Sequence, residues 1–172
     1  GPRVISFDLD GTLVDFTYTT LVWEVGIPEL YAEKHRISLE DAVSAVTGEY
    51  AAVGDASVKW YDLRYWLAHF GLPAEGLALM EKHRKEVRLF PEVREVLEEL
   101  SSRHELIVVS NAAREFVEVE VNETGIRKYF SRMISATSDF RQVKETPEFY
   151  HTVCELIGVS PAAMVHVGDH YE

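Results

Sequence analysis

Asp8 and Asp10 stand one residue apart at the end of the apolar run Val4-Ile5-Ser6-Phe7, just before Gly11-Thr12. Such a run reads as an inner strand of a parallel sheet, and open α/β sheets bind ligands in the crevice beyond the carboxyl ends of their strands. Both carboxylates are expected in that crevice, a place to do chemistry. Taken alone, the pair could instead cap the turn. Reactive side chains recur at comparable points: Ser110-Asn111 follows Val108-Val109, Gly168-Asp169 follows Val165-His166-Val167, and Lys144 precedes a helix-opening Thr146-Pro147-Glu148. Individually Ser110 reads as a helix cap, Lys144 as a surface lysine and Asp169 as a turn residue. In this order, each at a strand end or in the loop before a helix, they form one constellation.

The elements that must position these residues follow from the periodicity. After the first strand, residues 17–88 are helical in pattern: Ser38-Leu39-Glu40-Asp41 resembles a capping box, Gly71 closes a helix, and Pro73 sits where a first turn would start. From Phe90 onward helices alternate with short apolar strands, expected over residues 105–110, 132–136 and 164–167. This βαβ rhythm predicts an α/β fold with a doubly wound parallel sheet and right-handed crossovers. The division expected is a discontinuous core, residues 1–15 and 89–172, with an all-helical insertion over residues 16–88.

Composition limits the function classes. With 172 residues and 47% apolar content the chain can bury a real core. No long apolar run or signal segment is seen, so neither membrane nor secretion is expected, and the single Cys154 suits a reducing cytoplasm. A formal charge of -12 speaks against nucleic acid as a partner. Any anionic substrate must then be held by local positive charge. The seven histidines show no zinc-ligand spacing, and His166 and His170, on a strand and the loop after it, share no helical face. They read as neutral structural residues. The aromatic residues Trp60, Tyr61, Tyr65, Trp66 and Phe70, at helical spacing, read as core ahead of pocket lining.

Taken together, Asp8-Leu9-Asp10-Gly11-Thr12, Ser110-Asn111, Lys144 and Gly168-Asp169 resemble the four signatures of the haloacid dehalogenase superfamily, over nearly the whole chain. The nearest likeness is to its phosphoglycolate-phosphatase-like group. The resemblance implies a Rossmann-like core with a helical cap, and a Mg²⁺-dependent phosphatase working through an aspartyl phosphate. It makes Asp8 the nucleophile and Asp10 the general acid and base. It places Mg²⁺ between the Asp8 carboxylate, the Asp10 backbone carbonyl and the Asp169 carboxylate. It gives Lys144, Ser110, Asn111 and Leu9 to binding the phosphoryl group, although Asn111 could instead shape the loop. Lys144-Glu145-Thr146-Pro147 keeps only the second proline of the usual loop. The chain also stops at Glu172, where the family continues with a second acid, a strand and a helix, so it looks truncated and its own activity is open.

Phosphoryl transfer explains these residue types. A carboxylate and a phosphate repel by roughly 4 kcal/mol per charge pair at about 4 Å when the effective dielectric is about 20, so compensating cations are needed. A cap covering the crevice favours a small phosphorylated metabolite, taken up by a monomer or homodimer. Three alternatives stand beside this reading. A dehalogenase of the same fold lacks the second acid that Asp10 supplies. A receiver domain would carry its acceptor on the third strand and have no such insertion. A catalytically silent binding module is the third.

Overall fold

A computed structural model describes residues 1–168 of the chain. It opens with β1 (Val4–Phe7), buried along its whole length. Helices follow: α1 (Thr17–Thr20) runs through a π-helical turn, Leu21–Gly26, into α2 (Ile27–His35), then come α3 (Leu39–Val53), α4 (Leu63–His69) and α5 (Ala78–His83). The chain continues through α6 (Val93–Ser101), β2 (Glu105–Ser110), α7 (Arg114–Thr124), β3 (Arg132–Ser135), α8 (Ala136–Phe140), α9 (Pro147–Ile157) and β4 (Met164–Val167). Two compact units result. One takes in residues 1–15 and those from 88 onward; the other is residues 16–87.

In the first unit the four strands form one parallel sheet in the order β3-β2-β1-β4. β1 is therefore interior, with Val4 in register with Glu105 on one side and Met164 on the other. Alternation sends Val4, Ser6 and then Asp8 to one face. Beneath that face Val4, Ile107, Val109 and Ile134 pack with Phe149, Val153 and Cys154 of α9. The start of α9 is set locally: the Thr146 hydroxyl accepts from the Phe149 N–H at 3.1 Å, and Pro147 fills the first turn, where no N–H is needed. One boundary differs from the sequence expectation. β3 stops at Ser135 because the Ser135 hydroxyl caps the next helix, accepting from the Ser138 N–H at 3.1 Å, so Ala136 is already helical.

The second unit contains helices and no strand among its described residues. The Ser38 hydroxyl caps α3 by accepting from the Asp41 N–H. Gly71, at φ +62°, ends α4, and the Lys34 ammonium donates to the Phe70 and Gly71 carbonyls left over there. Trp66 is fully buried, with its ring 4.8 Å from that of Tyr50 and 5.4 Å from that of Phe70. These rings lie in this unit's core, whereas Trp60, Tyr61 and Tyr65, expected there from sequence, are only half-buried. No helix among the described residues is long and apolar enough to cross a membrane.

Candidate active site

The turn after β1 is built on one carbonyl. Leu9 O accepts from the N–H groups of Thr12, Leu13 and Val14 at 3.3, 2.9 and 3.0 Å. Gly11, at φ +81°, makes the reversal and donates to Val14 O. The Leu9 side chain is fully buried, so this residue can meet a ligand only through its backbone. Asp8 is fixed at both levels, because its N–H donates to Val167 O at 2.9 Å and its side chain is only 7% exposed.

A buried carboxylate needs partners, and Asp8 has two among the described residues. The Lys144 ammonium forms an ion pair with Asp8 Oδ1 and also donates to Val109 O, at the end of β2, at 3.1 Å. His166 Nε2 lies 3.0 Å from the same carboxylate oxygen, while its Nδ1 meets the Ser6 hydroxyl. A carboxylate only accepts, so Nε2 carries the ring proton and, in a neutral ring, Nδ1 accepts from Ser6. Burial, and after it the Lys144 charge, pushes the His166 pKa down to about 4 and keeps the ring neutral. A chain of donors therefore runs from Ser6 through His166 to Asp8. Ser6, Asp8, Val109, Lys144, Phe149 and His166 all line one cavity of about 190 Å³. At its edge Gly168 approaches so closely that an added Cβ would collide with Asp8 Oδ2.

Asn111 holds the lysine loop. Its Oδ1 accepts from the Lys144 N–H at 2.8 Å, and its Nδ2 donates to Glu145 Oε1 at 2.7 Å. Its own carbonyl accepts from the Thr137 hydroxyl at 2.7 Å. The side chain thus ties down the lysine loop, where the sequence reading had it shape the loop after Ser110. Asn111→Ala is expected to lower the unfolding free energy by about 2 kcal/mol, read as a lower denaturant midpoint at unchanged slope. The Ser110 hydroxyl caps its own loop, accepting from the Ala112 N–H at 3.0 Å.

Asp8, Lys144 and Asn111 are thus gathered at one end of the sheet, with Ser110 beside Asn111 and Asp10 on the turn. Asp169 and Glu172 lie outside the described residues. Three side chains around these were given no part in the site from sequence, His166 having been read as a neutral structural residue. His166 needed the register that sets it beside Ser6. Glu145 stands where the family pattern has proline. Glu120, fully buried in α7, is pushed well above the usual carboxylate range by burial first, then by the charge of Asp10. Asp8 and Asp10 offer hard oxygen donors from one turn, the chemistry Mg²⁺ prefers, and the close approach of Gly168 brings the end of β4 against the Asp8 carboxylate. Asp8 and Asp10 are of the kind that ion takes, though no group of three such side chains is gathered among the described residues.

Comparison with known proteins accords with this arrangement. The chain is 25% identical over 166 residues to the GMP/IMP nucleotidase YrfG of Escherichia coli, covering 96% of this chain and 73% of that protein. It is 28% identical over 182 residues to a phosphoglycolate phosphatase of Pseudomonas syringae, covering 98% of this chain and 62% of that one. The crystal structure of a HAD phosphatase from Thermococcus onnurineus shares the fold, with a TM-score of 0.85 at 24% identity over 98% of this chain and 77% of that one. The family model for haloacid dehalogenase-like hydrolases matches residues 2–172, and with the parallel sheet and the motifs at its strand ends it shows that the chain belongs to this family of hydrolases.

Proposed function

We propose that the chain is a Mg²⁺-dependent phosphatase that hydrolyses a small phosphorylated metabolite through an aspartyl phosphate on Asp8. The observation that carries this reading is the buried ion pair between Asp8 and Lys144, with Asp10 two residues along the same turn. The names of the relatives, a nucleotidase and phosphoglycolate phosphatases, support the substrate class.

The metal would be held by the Asp8 carboxylate, the Asp10 backbone carbonyl and Asp169, and when bound it supplies positive charge where two anions must meet. Lys144 contributes a second cation, already in contact with the nucleophile. An Asp8 carboxylate oxygen forms the new bond to phosphorus while the ester P–O bond breaks, and the Asp10 carboxyl gives its proton to the leaving oxygen. Asp10, now a carboxylate, takes a proton from the water that cleaves the acyl phosphate. Ser110 and backbone N–H groups around Leu9 and Asn111 hold the equatorial oxygens.

The test is hydrolysis of p-nitrophenyl phosphate and of a panel of small phosphate esters, with Mg²⁺ and with EDTA. Turnover that requires Mg²⁺ and returns on its re-addition is expected. Undiminished turnover in EDTA would remove the metal from the reading, and no turnover of any ester with Mg²⁺ would overturn it.

A further inference from the structure

On the face of the sheet that carries Asp8, the register of β1 and β4 sets Val4 against Met164 and Ser6 against His166. Val4 and Met164 are an apolar pair in the core, as buried strands of a parallel sheet favour. The next pair is polar. Ser6 is 1% exposed, at a position where valine or isoleucine would pack with no hydroxyl to satisfy. Its hydroxyl meets Nδ1 of His166, and Nε2 of the same ring reaches Asp8 Oδ1 at 3.0 Å. The ring thus spans from a buried anchor to the nucleophile. Asp8 already has the Lys144 ammonium to offset its charge, so what the histidine adds is direction.

We propose that His166 is a positioning residue: anchored by Ser6, its Nε2–H holds Asp8 Oδ1 and so sets the plane of the carboxylate that attacks phosphorus. This rests on the phosphatase reading above. The torsion that turns a carboxylate about its Cβ–Cγ bond is broad, and a lysine, a point charge on a flexible stem, restrains it weakly. An imidazole is rigid, and with Nδ1 engaged by Ser6 it presents Nε2 in one direction. Nε2 carries a proton whether the ring is neutral or charged, so the bond is present in both states. Lys144 and His166 both address Oδ1, while Oδ2 lies where a Cβ on residue 168 would stand, and glycine there leaves it room. The attacking group is therefore oriented before substrate arrives, and misplacing it by about 1 Å can cost about 10²-fold in rate.

The test reads kcat and KM separately for p-nitrophenyl phosphate at saturating Mg²⁺. H166L, which removes both ring nitrogens, is expected to lower kcat by about tenfold or more and to leave KM within about threefold, because the bond acts on the attacking group and not on the bound ester. H166Q places an N–H at the reach of Nε2 and should recover kcat to within about threefold of the parent protein. H166N reaches only as far as Nδ1, so it can meet Ser6 but not Asp8 and should be as slow as H166L. A merely structural service to Ser6 would be restored by H166N. A kcat for H166L within about threefold of the parent, a loss confined to KM, or an H166Q no faster than H166N would overturn the role of His166. If H166L lacks a folded circular dichroism spectrum, the ratio of H166Q to H166N decides. Failure of the parent protein on every ester of the panel, or activity that survives D8N, would overturn the phosphatase reading and the role of His166 with it.

Discussion

Asp8→Asn is expected to lower kcat for p-nitrophenyl phosphate by at least about 10³-fold, because the amide cannot form the covalent intermediate. The change breaks the buried pair with Lys144 from one side but leaves the backbone of the turn in place. Asparagine has almost the same volume, so the β1 turn held by Leu9 O and the backbone bond from Asp8 N–H to Val167 O remain. Circular dichroism should therefore report an unchanged fold. Initial rates with the ester in excess check the result, and retention of about a tenth of the activity or more would remove Asp8 as the nucleophile.

Lys144→Met is expected to act on both chemistry and stability. Loss of the cation beside the nucleophile should lower kcat by about 10²- to 10³-fold, the usual effect of removing one group that stabilises charge in the transition state. The same change strands a carboxylate. The side chains of Lys144 and Asp8 are 12% and 7% exposed, so Asp8 would stay buried against a neutral His166. Breaking a buried pair from one side typically costs about 3–5 kcal/mol, whereas replacing both partners costs far less. Denaturant unfolding should therefore show a large loss in K144M and substantial recovery in D8N/K144M. A double variant as unstable as K144M would show that the lysine stabilises the fold by some other contact.

The features most legible in the sequence depend on local pattern. Val4-Ile5-Ser6-Phe7 shows its strand by its apolar run, and Thr146-Pro147 shows a helix start by its cap, because both signals sit in adjacent residues. The residues around Asp8 were less legible because their meaning comes from pairing. His166 gains its position only once β4 lies beside β1 with Ser6 opposite it, and a period of two cannot supply a register between strands. Asn111 was seen, but its two bonds to the lysine loop depend on how residues after α8 fold back. Glu120 left a trace that could have been used. It occupies the buried stripe of α7 beside Phe116, Val117 and Val121, where the many acids of this helix would otherwise suggest a solvated face.

The interior position of β1 has a consequence for biosynthesis. Its residues leave the ribosome before those they pair with, so both edges wait for partners made much later: Val4 pairs with Glu105 and then with Met164. At about 5–20 residues per second, the second edge stays open for on the order of 10 s. During that interval residues 16–87, whose helices pair with near neighbours in the chain, can fold ahead of the sheet. The nascent polypeptide thus carries an unsatisfied apolar ribbon, and chaperone capture during translation should concentrate on that ribbon.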